Sequence, residues 1–249
     1  MTSVTLIIIT YNSEKYILPC LKSVFQNSSF QKAELIILDN NSEDRTITQL
    51  KKFREHKYRL IALKEDIGYT KAANLAATKA KGKFLFFLNP DTTLSKNFLL
   101  PQIETLSEQK LYTFLIKDAD DKIYNHVHPV PNPKNIIFKA LKRTDLIKEW
   151  WFEGTALLMS KKSFEKSGGF NESYFQFGED LDFCYRAYKQ RIELELLMTG
   201  TICHFSGNVT SKEKKRIIYR NYLRFFEDHY SGTCAKFMRV FFRFKKKWA

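Results

Sequence analysis

Apolar and polar positions come in blocks along the first ninety residues. Residues 4–10 (VTLIIIT) form a continuous, β-branched apolar run, and 33–39 (AELIILD), 58–64 (YRLIALK) and 83–89 (KFLFFLN) have the same character. Short runs without alternation suit strands buried on both faces, as in a parallel sheet. Helical signals lie between them. Residues 13–27 read as a helix capped by Asn12 or Ser13, with Pro19 weakening the reading. Residues 42–56 open on Ser42 and place acids in the first turn, and 69–81 are alanine-rich. Strand–helix alternation predicts an α/β fold: a Rossmann-like, mostly parallel sheet with helices on both faces.

The pattern is less regular after residue 110. Residues 111–127 read as a hairpin turning at Asp118–Asp121, and 128–133 as a proline-rich loop. Residues 150–160 (WWFEGTALLMS) read as one strand with Gly154 inside it, where a glycine marks close approach of a ligand or another backbone. A short helix ends at Gly168-Gly169, a helix over 178–191 opens on Glu179, Asp180 and Asp182, and strands follow at 192–199 and 201–207. Beyond them lies a basic helical tail.

In open α/β sheets, ligands bind beyond the carboxyl ends of the strands. Those ends carry Thr10-Tyr11-Asn12, Asp39-Asn40-Asn41-Ser42 and Asn89-Pro90-Asp91. One such end is ordinary turn chemistry; three polar ends on one rim point to a binding site. Asp91 can hold a divalent cation against a diphosphate, because Mg²⁺ takes one or two carboxylates and leaves the rest to phosphate. In FGEDLDF, the acids suit a helix N-terminus, and an ionised aspartate there also suits a general base. Asp180 and Asp182 point apart at i and i+2, so one of them is structural. His204 is an ordinary core or surface histidine, or else a second metal or phosphate ligand.

Composition narrows the choices. The chain has no G-x-G-x-x-G and no P-loop, which disfavours nicotinamide-dependent hydride transfer and P-loop NTP hydrolysis. Four scattered cysteines without C-x-x-C spacing argue against a zinc site and fit a reducing cytosol. No apolar run is long enough to span a membrane, and no signal peptide is expected. Of the formal net charge of +14, the segment 205–249 holds 12 Lys/Arg against 3 Asp/Glu. Arg216, Arg220 and Arg224 fall on one helix face among aromatics. Such a tail suits an anionic surface, either lipid headgroups at the inner face of the plasma membrane or nucleic acid. A helix packed on the sheet with a solvated basic face is the plainer alternative. The acid-lined rim disfavours nucleic acid.

Five segments in order, VTLIIITYNSEKYILPCLKSV, LIILDNNSEDRT, IGYTKAANLAATKAKGKFLFFLNPDTTL, WWFEGTALLMSKKSFEKSGGFNESYFQFGEDLDFCYRA and ICHFSG, resemble glycosyltransferase family 2, most nearly its rhamnosyltransferase branch. The resemblance covers about residues 4–207. It implies a GT-A fold over 1–207, with a nucleotide-binding half (1–92) and an acceptor half (93–207), followed by the tail at 208–249. It also implies an inverting glycosyltransferase that uses a nucleotide-diphosphate sugar. By the same resemblance Thr10, Tyr11, Asn12, Asp39, Asn41, Gly68, Asn74 and Asn89 bind the donor. Asp91 and His204 hold Mg²⁺ or Mn²⁺ at the diphosphate, Asp180 is the base, and Trp151, Gly154 and Glu179 line the acceptor or sugar pocket. N-P-D stands where most relatives have D-x-D, a variant frequent among rhamnosyltransferase-like members, whose usual donor is dTDP-β-L-rhamnose. The expected acceptor is a cell-surface polysaccharide or lipid-linked glycan precursor, and the expected location is cytoplasmic, peripheral on the inner membrane face. Where the family commonly has glycine after the last of these helices, this chain has Gln190-Arg191.

Overall fold

The computed structural model describes residues 3–53, 57–205 and 212–245. Ten strands occur among them: β1 Val4–Thr10, β2 Glu34–Asp39, β3 Arg59–Ala62, β4 Phe84–Leu88, β5 Thr92–Leu94, β6 Lys110–Lys117, β7 Val127–Pro129, β8 Trp150–Phe152, β9 Ala156–Ser160 and β10 Glu193–His204. The helices are α1 Ile17–Phe25, α2 Thr46–Lys52, α3 Tyr69–Lys79, α4 Pro133–Ala140, α5 Lys161–Lys166, α6 Glu179–Lys189, α7 Lys212–His229 and α8 Gly232–Lys245.

Eight strands form one sheet in the order β3-β2-β1-β4-β9-β6-β10-β5, and β7 pairs with β8 beside it. The pairs β3–β2, β2–β1, β1–β4 and β6–β10 are parallel, whereas β9 runs antiparallel to both β4 and β6. The expected mostly parallel sheet is therefore present. Alternate residues of its central strands feed two cores. Leu6, Ile8, Phe84 and Phe86 face α1 and α2, meeting Leu21, Val24 and Leu50. Ile7, Ile9, Leu85 and Phe87 face the other way, against the alanines of α3 and the apolar sides of α5 to α8. Helices on both faces make the strands apolar throughout, as the sequence indicated.

Several elements differ from their sequence reading. The helix read over 13–27 begins at Ile17, because Asn12 and Ser13 are used elsewhere: Ser13 N–H donates to Thr46 Oγ1 at 2.8 Å and Asn12 N–H to Ser42 Oγ at 2.9 Å. Pro19 falls in the first turn, where its missing N–H has no intrahelical partner to lose. The helix read from Ser42 begins at Thr46 with Asp44 accepting its N–H, and residues 54–56 lie outside the described set. The single strand read over 150–160 is two strands in different sheets, broken at Glu153 and Gly154. The two strands read over 192–207 are one, β10, with a register shift between Leu197 and Thr201; Ser206 and Gly207 are outside the described residues. Asp118–Asp121 does turn the chain, but the returning arm makes only an isolated bridge, Lys117 to Ile123.

Arg191, near the place where relatives have glycine, sits at φ 60. Ile192 N–H reaches back to Ala187 and Arg191 N–H to Tyr188, which closes α6 with a Schellman turn. The turn survives without glycine, with a side chain held in the left-handed region.

The tail reading needs correction at α7. Phe225 and Phe226 are fully buried in the same core as α3 and α6. Asn221 donates to Gln176 O, and His229 Nε2 meets Asp182 Oδ1 at 2.7 Å. Burial of this kind makes α7 part of the body, while Arg216, Arg220 and Arg224 stay exposed. The boundary expected at 207/208 falls outside the described residues. Among the described residues no helix is long and apolar enough to cross a membrane.

Candidate active site

The parallel strands β1, β2 and β4 end on one rim, and their turns are built from the polar residues singled out above. After β1 and β2 the chain reverses through Asn12 (φ 48) and Asn41 (φ 64), a conformation that asparagine tolerates better than most residues. Thr10 Oγ1 donates to Asp39 Oδ1 at 2.8 Å. The same oxygen accepts Ser42 Oγ at 2.6 Å, while Oδ2 accepts Ser42 N–H at 2.9 Å. Asn12 Oδ1 accepts Glu43 N–H. Asp39 is thus buried and fully satisfied. Its network locks the two turns together and leaves Tyr11, 48% exposed, at the surface.

The β5–β10 pairing brings Asp91 to His204. His204 is opposite Thr92 in the ladder, and Asp91 O accepts Phe205 N–H at 2.9 Å. Asp91 Oδ2 and His204 Nε2 are 3.2 Å apart. With Nε2–H turned toward Asp91, Nδ1 accepts the Tyr124 hydroxyl proton at 2.8 Å and lies 3.3 Å from Thr155 Oγ1. Asn89 N–H donates to Thr155 O at 3.0 Å, which sets Asn89 against the same residue.

Asp180 opens α6 beside the break between β8 and β9. Its Oδ2 accepts Gly154 N–H at 2.9 Å and its Oδ1 accepts Leu181 N–H at 2.8 Å. Burial pushes its pKa up to about 6; those two N–H groups pull it down and the charge of Glu153 raises it. Asp182 turns the other way, buried between Arg186 and His229, so the two aspartates separate as their spacing requires.

Gly154 and Thr155 are adjacent in the chain. One holds Asp180, and the other touches His204 and, through it, Asp91. A single dipeptide therefore ties the two carboxylates to one stretch of the rim.

Asn74 and Trp151, expected at the site, make other contacts, and Gly154 acts through its backbone. Asn74 spends both ends of its amide on Phe170, with Oδ1 accepting its N–H and Nδ2 donating to its O at 2.9 Å each. It pins the 168–172 loop to α3. Trp151 is only 8% exposed; it packs in the core against His128, at 5.0 Å between ring centres, and does not line an open pocket. Gly154 has room for a side chain, since an added Cβ would meet Asp180 only at ordinary contact distance; its contribution is its N–H. Gly68 does need to be glycine: its φ is 81 and a Cβ would lie 2.9 Å from Phe175 O. Tyr69 N–H donates to that oxygen, so the 171–178 loop closes over the start of α3.

The sequence reading missed Tyr124, His126, His128, Glu153, Thr155 and Tyr222. The first three alternate in YNHVH, the period that places side chains on one face of an extended segment. Glu153 Oε1 pairs with His128 Nε2 at 2.9 Å. Burial, then the charges of Asp180 and Glu153, push the Tyr222 hydroxyl up.

Glu179 is buried, and its Oε2 has no hydrogen-bond partner among the described residues. Burial first, then the charge of Asp180, raise its pKa to about 8. Its folded-state pKa lies above the unfolded value, so its contribution to stability is present at low pH and lost as pH rises toward 8. Glu179→Gln is therefore expected to melt close to wild type near pH 5 and roughly 10 °C above it near pH 9. Thermal melts across that range check this, and parallel curves would show that Glu179 is ionised in the fold.

The donors present fit a divalent cation in part. Two cis ligands about 2.1–2.2 Å from one ion stand roughly 3 Å apart, close to the Asp91–His204 spacing. Among the described residues no cluster of three or more potential metal ligands forms, so diphosphate and water would supply the remaining positions.

A model of glycosyl transferase family 2 matches residues 5–168, about two thirds of the chain. The chain belongs to glycosyl transferase family 2. A second model, described as the N-terminal domain of galactosyltransferase, matches residues 141–207. Rhamnosyltransferase WbbL of Escherichia coli K12 is 24% identical over 227 residues, 82% of this chain and 83% of its own length. The low-salt glycan biosynthesis hexosyltransferase Agl10 of Haloferax volcanii is 23% identical over 207 residues, and the match spans 78% of this chain but only 64% of Agl10. The crystal structure of GalNAc-T7 with UDP, GalNAc and Mn²⁺ superposes with a TM-score of 0.66 at 17% identity, covering 91% of this chain and 48% of that one. The fold is GT-A.

Proposed function

We propose that this family 2 member is an inverting glycosyltransferase that moves a sugar from a nucleotide diphosphate to a hydroxyl of a glycan precursor. The observation that carries this reading is the Gly154-Thr155 link, with a hydrogen-bonded aspartate on one side and an Asp–His pair on the other. The acceptor hydroxyl approaches Asp180, which takes its proton as the oxygen forms a bond to the anomeric carbon. The bond from that carbon to the diphosphate breaks on the opposite face, and its electron pair leaves with the phosphate. A pKa near 6 keeps Asp180 ionised at neutral pH yet basic enough to accept the proton. Asp91 and His204 would hold Mg²⁺ or Mn²⁺, with the His204 proton then on Nδ1 and donated to the Tyr124 oxygen; the ion would supply positive charge to the departing diphosphate. Tyr124 orients the His204 ring. Exposed Tyr11 offers a face for the nucleotide base, while the Thr10–Asp39–Ser42–Asn12 network holds the turn that presents it.

For the donor we favour dTDP-β-L-rhamnose. The similarity to a rhamnosyltransferase over 83% of that protein's length supports this, and the Agl10 similarity keeps UDP-hexose, UDP-N-acetylhexosamine and UDP-galactofuranose as the alternatives. The acceptor in this reading is a polysaccharide or lipid-linked precursor at the inner membrane face. A panel of nucleotide sugars, each with and without Mn²⁺ or Mg²⁺, tests it by thermal shift. We expect a dTDP or UDP sugar to raise the melting temperature in a metal-dependent way, with single-stranded DNA inert. Stabilisation by DNA alone, or by no nucleotide sugar, would remove the enzyme reading.

A further inference from the structure

The helix α4 packs Ile136 against the core, yet it also turns apolar residues to solvent. It is capped well: Asn132 accepts Asn135 N–H at 2.7 Å, and Pro133 occupies the first turn. Yet its one fully buried residue is Asn135, whose Nδ2 donates inward to Val130 O at 3.0 Å. Its outward stripe, at i, i+3 and i+7, is Lys134, Ile137 and Leu141. Ile137 is 55% exposed and Leu141 65%. Leu146, in the turn that follows, is exposed as well. A helix that only had to pack on a sheet would place these residues the other way round.

Tyr230, in the corner between α7 and α8, and Ile136 of α4 pack against the same core. Basic residues surround the apolar ones. Residues 133–148 contain Lys134, Lys139, Lys142, Arg143 and Lys148 against a single acid, Asp145, which Arg143 takes at 2.9 Å. All four lysines are exposed. From 232 to 245 the chain has four basic residues and no acid.

We propose that residues 133–148 dock on an anionic lipid bilayer. Charge decides between occupants. A second copy would bring the same positive patch against itself, whereas an anionic bilayer offers negative headgroups for the lysines and an acyl boundary for Ile137, Leu141 and Leu146. Nucleic acid would satisfy the lysines and leave the aliphatic side chains in water. The placement suits the proposed acceptor. The β7–β8 hairpin carries α4 at one end and Glu153, next to Gly154, at the other, and its strands are three residues each, or about 10 Å long. The lipid-linked acceptor rests on the functional reading above; the docking surface does not.

Co-sedimentation of the full chain with phosphatidylcholine vesicles, with and without about one third phosphatidylglycerol, tests the proposal. Binding is expected only with phosphatidylglycerol, weakening at least tenfold between roughly 0.1 and 0.5 M salt. Ile137→Ser with Leu141→Ser, both exposed positions, should lower vesicle binding about tenfold and leave the melting temperature unchanged. Equal binding to both vesicle types, no binding to either, or full binding by the double variant would overturn it. So would concentration-dependent self-association of the wild type that the double variant loses, since a second copy would then be the occupant. Nucleotide-sugar stabilisation, measured on the same samples, reports separately on the enzyme reading.

Discussion

Asp180→Asn is expected to lower sugar transfer by about 10³-fold or more, with nucleotide-sugar binding changed less than about twofold. The substitution keeps shape. Its carbonyl oxygen can still accept Gly154 N–H, so the turn between β8 and β9 stays in place. What it loses is the ability to take a proton. The wild-type pH profile of kcat/KM should follow the same group, rising with pH through about 6 as Asp180 ionises and then levelling. Calorimetric titration of the variant with the donor separates binding from chemistry. Transfer at the wild-type rate would take the base role away from Asp180.

Asp91→Ala is expected to act earlier in the cycle. His204 loses the carboxylate 3.2 Å away, and the rim loses the one acid beside the presumed diphosphate. Because Asn89 stands where relatives commonly carry another acid, no second carboxylate in that motif compensates. Metal-dependent stabilisation by nucleotide diphosphate should disappear, and kcat/KM should fall by about 10²–10³-fold. The direct measurement is a Mn²⁺ titration in the presence of UDP or dTDP, wild type against variant. An unchanged titration would remove Asp91 from the metal and diphosphate site.

How much of this could be read from the chain depended on burial. The apolar runs at 4–10, 34–39 and 84–88 are visible because both faces of those strands are covered, so no polar residue interrupts them. The run at 150–160 misleads for the same reason: two short strands of different sheets are both apolar, and only Glu153-Gly154 marks the break. Helix starts were misplaced where the capping residues serve a second purpose, as Asn12, Ser13 and Ser42 do in joining two turns. The segment at α4 went unread as a helix because the prolines before it read as loop, although Asn132 and Pro133 are its cap and first residue.

At the site, the strand-end acids and the acids opening α6 were legible from position alone. The meeting of Asp91 with His204 was not, since it depends on β5 lying antiparallel to β10 across more than a hundred residues of chain. Position and the family resemblance both offered His204, and neither could supply Tyr124 or Thr155, which belong to the packing around it. Asn74 and Trp151 show the opposite failure. Their types suit a ligand pocket, yet Asn74 holds the 168–172 loop and Trp151 fills the core.

The Gly154-Thr155 corner also limits how this scaffold can be remade. Because neighbouring residues hold Asp180 and meet His204, a change that moves one of these side chains will disturb the other. Remodelling toward a new donor has a freer hand at the exposed Tyr11 turn, which hangs on its own network and can be varied without moving that shared hinge.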